Sequence, residues 1–488
     1  MRLWPRARGY DEAMSERLDL LLFHTYFLSQ DPREQEIMRP FPPLGLQYLV
    51  AWLRRSGFGA VDWFDSTFEP GPEAVESAVD SANPRVVGLY GHTLTRPVSE
   101  ALVRRFRYEG RRVIAGGPDP VQYLDAYFDM GVEVVVIGEG EQTLTDLMEH
   151  LRGNHWLWCW ETLERIPGIA YRRDGQVVRT DARPLLRPLD RLPFPERRRR
   201  DLDAYFSAWR GRHGETAMSL ASSRGCPYHC TWCSKQVYGD TFRRRSVENV
   251  VDEVLALREA FDPDQLWFVD DMFTINRGWV KHFCHEMISR SAVTPFYLIG
   301  RPERLDEETL EQLTAAGLYR MYISAESGAQ HVLDSMRRDA AREEIVRGAQ
   351  LLRAHGVEIG VFSMIGYPGE NAADIRATAQ MLREIDPDVL LLSIAHPMKG
   401  TAFYEQVADR LTQPRGWVAR NGGRLAFEMR YPSRVYDVAQ RMVHTELRLG
   451  RKWRERKLDG ELARLAVRAP AYRTLFELMT RSSDWVSA

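Results

Sequence analysis

The sequence predicts an α/β protein built on two parallel sheets in series. Three observations carry the prediction. Residues 18 to about 150 alternate strand-like and helix-like segments in units of about 25–30 residues, the length that a parallel strand with a crossover helix needs. A second series of six strand–helix units runs from Ala217 to Ile394. Beyond about residue 406 the alternation stops, and Trp417 to Ala488 reads as helical, rich in arginine and aromatics. The expected organisation is an N-terminal tail (1–17), a Rossmann-like doubly wound parallel sheet (18–150), a connector with a β-hairpin (151–214), a partial (β/α)6 barrel (215–405) and a helical C-terminal extension (406–488).

Composition narrows the class. At 488 residues the chain is too long for one ordinary domain, and 44% hydrophobic with 27% charged residues is a soluble globular composition. No apolar run approaches a membrane span, and Met1 to Arg17 lacks an apolar signal core, so neither membrane nor secretion is expected. Five cysteines without a framework pattern suit a reducing cytoplasm. A net charge of −2 gives no global drive toward nucleic acid, and the Arg197–Arg200 run, flanked by Glu196 and Asp201, reads as a solvated linker face.

In the first half, Leu18–His24 is an apolar run of buried-strand length, and Leu46–Leu53 has helical spacing that stops near Gly57. Strands follow at Val61–Asp65, Arg85–Tyr90, Arg112–Pro118 and Val132–Ile137, with a helix around Val98–Tyr108. Ligands of such sheets lie beyond the carboxyl ends of the strands. Those ends carry Gly91-His92-Thr93, Gly116-Gly117-Pro118 and Gly138-Glu139-Gly140-Glu141, where glycines allow close approach of a bulky group or simply make tight turns. Gly168–Val178 reads as a hairpin turning at Asp174-Gly175, and Leu189–Pro195 as an extended, proline-rich joint.

In the second half, a strand at Ala217–Ser223 feeds the stretch Arg224-Gly225-Cys226-Pro227-Tyr228-His229-Cys230-Thr231-Trp232-Cys233. Three thiols at C-x3-C-x2-C spacing are placed to share one metal centre. Zinc with His229 or a distant fourth ligand is the alternative, although no second knuckle follows. Three thiolates on a four-iron cluster leave one iron open to bind something else. Cys159 and Cys284 are isolated and read as small buried apolar residues. The later strands end in polar groups: Asp270-Asp271, Arg301, Ser324-Ala325-Glu326, Gly366-Tyr367-Pro368-Gly369-Glu370 and His396-Pro397-Met398-Lys399. Barrels place chemistry at these ends, and carboxylates buried there need a cationic partner. Helix capping accounts for any one of them but less easily for all together.

RGCPYHCTWC resembles the cluster loop of the radical S-adenosylmethionine (SAM) superfamily. The AGGP and GEGE turns upstream, and the hairpin with LDRLPFP, make residues 18 to about 405 similar to cobalamin-dependent radical SAM enzymes, including the class B methyltransferases and the anaerobic magnesium-protoporphyrin ester cyclase. The resemblance implies a 4Fe-4S cluster on Cys226, Cys230 and Cys233, whose fourth iron is chelated by SAM. It implies SAM contacts from Trp232, Asp270, Asp271, Arg301, Ser324, Glu326 and Gly366, with Asp271 preferred over Asp270 for the amino group. It implies cobalamin contacts from Thr93, Gly116, Gly117, Gly138, Glu139 and Gly140. The cobalt-ligating Asp-x-His-x-x-Gly motif is missing, so neither His24 nor His92 is expected to ligate cobalt. The activity implied is reductive cleavage of SAM to a deoxyadenosyl radical, then methylation of an unactivated carbon of a small-molecule substrate, with an electron donor such as flavodoxin or ferredoxin. The rivals are oxidative cyclisation and an iron–sulfur carrier or sensor without SAM chemistry. The arginine-rich helix Met442–Lys457 reads as a solvated face.

Overall fold

Every strand expected from the apolar runs forms, and the strand order explains where ligands can bind. The structure is a computed structural model, and it describes residues 17–235, 237–412, 426–457 and 459–484. The tail at 1–16 and the residues around Trp417 lie outside the described residues. Seven strands make the first sheet: β1 (Leu20–His24), β2 (Val61–Phe64), β3 (Val86–Tyr90), β4 (Arg112–Gly116), β5 (Val134–Val136), β6 (Ile169–Arg173) and β7 (Gln176–Arg179). Their order is β2-β1-β3-β4-β5-β6-β7, with β1 to β5 parallel. The chain reverses direction across the sheet between β1 and β3, which opens a crevice at the carboxyl ends of these strands.

The strands are near-continuous apolar runs because both faces are covered. Leu21, Phe23, Val87, Leu89, Val113 and Val135 face one core, while Leu20, Leu22, Val86, Ile114 and Val134 face the other. The hairpin expected in the connector turns at Asp174-Gly175 and adds to this sheet, β6 pairing antiparallel with β5. Ile169, Ala170 and Tyr171 are buried apolar residues that would otherwise be exposed, which is why the hairpin closes the edge.

The arginine run corrects the solvated-face expectation. Arg199–His213 is a helix, and Arg197 is buried ahead of it, donating to Ser219 O (2.6 Å) and Glu253 (3.1 Å). Arg198 pairs with Asp62 and Asp201. Four consecutive arginines look alike in sequence, but Arg197 finds a buried carboxylate and Arg198 a partly buried one, each contributed by a distant segment.

Strands β8 (Ala217–Leu220), β9 (Ser223–Arg224) and β10 (Arg243–Arg244) follow, then β11 (Gln265–Phe268), β12 (Phe296–Gly300), β13 (Leu318–Glu326), β14 (Glu358–Ile365) and β15 (Val389–Ile394). The order β15-β14-β13-β12-β11-β8 is the half-barrel expected from six strand–helix units, and β12 to β15 pair in parallel. The intervening helices start on side-chain caps: Ser246 for Val247–Phe261, Asp306 for Glu307–Ala315, and Asn371 for Ala372–Ile385. Two long helices, Ser433–Arg454 and Gly460–Asp484, form the C-terminal region. The arginines of the first are held at its surface, Arg448 by Glu461 and Arg454 by Asp386. No helix among the described residues is long and apolar enough to cross a membrane.

The described residues fall into two compact units. One takes in the chain to Gly225 together with Lys235–Trp267; the other takes in Cys226–Ser234 and the chain from Phe268 on.

Candidate functional site

The cysteine loop lies in the second unit and is fixed through its backbone. Thr231 N donates to Met336 O (3.0 Å), and Phe403 N donates to Thr231 O (2.9 Å). The Thr231 hydroxyl also lies 2.6 Å from the Tyr367 hydroxyl. Cys226 and Cys230 are partly buried, Cys233 is exposed, and none is in a disulfide. Three thiols outside any disulfide, held on one anchored loop, are a donor set that fits a cluster. Burial raises the Cys230 thiol, Arg338 and Arg301 pull it toward the thiolate, and Glu326 and Cys226 push it back up, so that it ends above its ordinary value. Cluster binding displaces such protons. Of the two isolated cysteines, Cys284 is buried with its thiol pushed up to about 12, as a core residue would be. Cys159 departs from the expectation: it is only partly buried, and its thiol donates to Glu161.

Around the loop stand the acidic strand ends. Glu326 ends β13 in the left-handed region (φ 54°), where the register with β14 shifts, and it is 4% exposed. Burial pushes its carboxyl up to about 7, against the opposing pull of Arg338 and a hydrogen bond with Ser324. Glu370 is buried too, and burial pushes it up to about 8. One of its oxygens accepts from Gly366 N, while Oε1 is buried with no partner among the described residues. An orphaned buried acceptor beside a strand-end glycine fits the cationic and donor groups of SAM. Asp270 is buried at 1% exposure, whereas Asp271 is exposed. Trp232 packs on the apolar cluster of Val332, Met336, Tyr367 and Phe403.

Arg301 is buried and already engaged. Its Nε donates to Glu303 (2.8 Å), its Nη2 donates to the carbonyls of Arg338 and Asp339, and its guanidinium lies 3.9 Å from the Tyr228 ring centroid. Arg338, Glu303 and Tyr228 were missed from sequence. Arg338 sits in Met-Arg-Arg-Asp after a short helix, a context with no period to mark it.

In the first unit the expected cobalamin residues cluster at the ends of β3, β4 and β5. Gly117 has φ 103°, and a Cβ there would lie 2.8 Å from Gly91 O. Glycine is therefore required there by close packing of the turn on Gly91 and Tyr90. Phe68, Tyr90 and Leu94 are exposed at 38%, 40% and 46% beyond β2 and β3. Exposed apolar side chains beside these glycine turns fit a broad, flat macrocycle. The polar groups of the same loops are spent on protein. The Thr93 hydroxyl donates to Asp119 (2.8 Å), which also accepts from Arg96 and Tyr127. Glu139 accepts from Arg224 (2.6 Å), Arg243 (2.8 Å) and Leu186 N (2.8 Å), and Glu141 accepts from Arg224 (2.5 Å). Burial works against the Glu139 carboxylate, but these arginines outweigh it and hold its pKa below the usual range. His24 Nε2 is bonded to Asp65 (2.8 Å) and its Nδ1 accepts from Tyr26 N (3.2 Å), so both ring nitrogens are engaged. Gly140 opens the helix Gly140–Gly153, whose N-terminus faces the same strand ends.

The comparisons agree with this division. Residues 220–382 match the radical SAM superfamily, and residues 36–148 match the B12-binding domain. An uncharacterized methyltransferase of Pyrococcus horikoshii is 25% identical over 386 residues, spanning 77% of this chain and 81% of its own. The anaerobic magnesium-protoporphyrin IX monomethyl ester cyclase of Rubrivivax gelatinosus is 25% identical over 385 residues, spanning 77% and 68%. The structure of the radical SAM methyltransferase TsrM from Kitasatospora setae, with cobalamin and a [4Fe-4S] cluster bound, superposes with a TM-score of 0.66 over 80% of this chain and 75% of that one. At 19% identity that likeness is one of fold.

Proposed function

This chain belongs to the radical SAM superfamily and carries a B12-binding domain, and from that premise we propose that it is a cobalamin-dependent methyltransferase acting on an unactivated carbon of a small molecule. The observation that carries the reading is one chain holding both an anchored three-thiol loop beside buried strand-end carboxylates and a separate doubly wound sheet with glycine turns. Likeness to a methyltransferase over most of both chains supports methyl transfer.

In this reading Cys226, Cys230 and Cys233 hold the cluster. Glu326, Glu370, Gly366, Ser324 and Asp270 receive SAM, with Asp271 and Trp232 at its edge. Gly116, Gly117, Gly138 and Gly140, with the backbone of Thr93 and Glu139, back the cobalamin. The cofactors supply radical generation and the methyl carrier; the protein supplies orientation and exclusion of water. Glu326 and Glu370 hold their protons near neutrality, so each can accept or release one as a cationic ligand enters. Arg301, spent on Glu303 and two carbonyls, braces the loop instead of offering a free cation. A one-electron donor and a cytoplasmic setting belong to the same reading.

The test is anaerobic reconstitution with dithionite, cobalamin and SAM labelled in its methyl group, presented with a metabolite extract. Label in a new product supports methylation. Deoxyadenosine without methyl incorporation would assign the chain to cyclisation or rearrangement, the reading that likeness to the cyclase favours. A cluster spectrum indifferent to SAM would leave an electron carrier or sensor.

A further inference from the structure

We propose that Arg338, acting with Arg301 and Glu303, sets the reduction potential of the cluster held by the cysteine loop. The inference rests on the radical SAM reading and adds a role for three residues that bear no cluster iron. Their side chains are almost wholly buried: Arg301 at 2%, Arg338 at 3% and Glu303 at 1%. Both guanidiniums converge on one oxygen, Arg301 Nε at 2.8 Å and Arg338 Nη2 at 3.0 Å from Glu303 Oε1. The other oxygen of Glu303 has no hydrogen-bond partner among the described residues. Two cations thus share one oxygen of a single buried carboxylate, and Arg338 also faces the buried Glu326.

These cations are fixed against the cysteine loop. The Arg301 guanidinium stacks on Tyr228, midway between Cys226 and Cys230. Thr231, next to Cys230, is bonded through its amide and its hydroxyl to Met336 O, two residues before Arg338. The remaining donors hold the cations in place: Arg301 Nη2 on the carbonyls of Arg338 and Asp339, and Arg338 Nε on Ser324 O (2.8 Å). Reduction adds one electron from an external low-potential donor, which is itself oxidised by one electron, and no bond or proton need change. The added negative charge is stabilised by a buried cation and opposed by a buried carboxylate, because cluster potentials follow local charge, hydrogen bonding and exposure.

The two signs give the test. The full chain is reconstituted anaerobically without SAM and titrated with dithionite and mediators, with the reduced cluster read by electron paramagnetic resonance. Arg338→Met should lower the equilibrium constant for reduction at least tenfold, ~59 mV for a one-electron couple. Arg338→Lys, which keeps the charge, should stay near wild type, and Glu303→Gln should shift the potential upward. Variants that load the cluster normally but leave the potential unmoved, or that move it in the same direction for Arg338→Met and Glu303→Gln, would overturn the proposal. If Arg338→Met does not fold, the upward shift in Glu303→Gln against an unmoved Arg338→Lys decides. A wild-type chain that assembles no cluster overturns the radical SAM reading and this inference with it.

Discussion

Replacing Glu139 with alanine should loosen the strand pair that leads into the cysteine loop. β9 and β10 pair antiparallel with Arg224 directly opposite Arg243, so two cations face each other in register. Glu139 is the carboxylate between them, one oxygen on each. The three side chains are 6%, 8% and 2% exposed. Removing one partner of a buried pair costs about 3–5 kcal/mol. The lower end applies, because Glu141 still holds Arg224 while Arg243, among the described residues, keeps Leu186 O. A loss on the order of 3 kcal/mol corresponds to roughly 150-fold at 1.36 kcal/mol per tenfold. Hydrogen exchange at Ser223–Arg224 and Arg243–Arg244 should accelerate by about that factor. Because the folded carboxylate lies below its ordinary pKa, its contribution is present above the ordinary carboxylate range and fades as pH falls through the folded value. Glu139→Gln should flatten that acid-side dependence. Adding Arg243→Met to Glu139→Ala should recover most of the loss, since an apolar replacement leaves no stranded charge. Exchange unchanged in Glu139→Ala, or changed by no more than the 0–1 kcal/mol typical of exposed ion pairs, would refute the assignment of Glu139 as the lock between these strands.

Alanine at Cys226, Cys230 or Cys233 should abolish the iron–sulfur absorption and SAM cleavage together, whereas Cys159→Ala and Cys284→Ala should keep both. Gly225→Ala should sharply reduce cluster content: φ is 80° and the new Cβ would lie 2.1 Å from Thr241 O, a backbone atom that cannot swing away. The left-handed backbone costs about 1–2 kcal/mol and the overlap about 1–3 more. Gly239→Ala, at φ 61° with nothing within 4 Å, should show only the first cost. Glu370→Gln should change the pH profile of stability of the cluster-free chain. The folded carboxyl titrates at about 8 against 4.5 in the open chain, so wild type loses stability as pH rises between those values, on the order of 5 kcal/mol at 1.36 kcal/mol per unit. Chemical denaturation should show the amide variant without that slope, and a parallel slope in both would refute the assignment.

What could be read in the sequence follows from how local each signal is. Apolar runs and capping residues report the immediate chain, so the strands and the helices behind Ser246, Asp306 and Asn371 were legible to within about three residues. The cysteine loop was legible because its three thiols are neighbours in the chain. Buried charge was not, because its meaning depends on a partner far away: Arg197 on Glu253, Arg338 on Glu303 and Glu139 on Arg224 and Arg243. A charge run therefore read as solvent-facing when Arg197 was buried and Arg198 half-buried. The Gly-Glu-Gly-Glu turn carries the same lesson further. Gly138 makes its turn in the left-handed region at a strand end (φ 81°), while the glutamates clamp Arg224, two residues before Cys226. One four-residue stretch thus turns the chain with one residue type and fixes a distant strand with the other. Within it the division can be tested: enlarging the glycines should weaken cobalamin binding, and neutralising Glu139 should first loosen the β9–β10 pair.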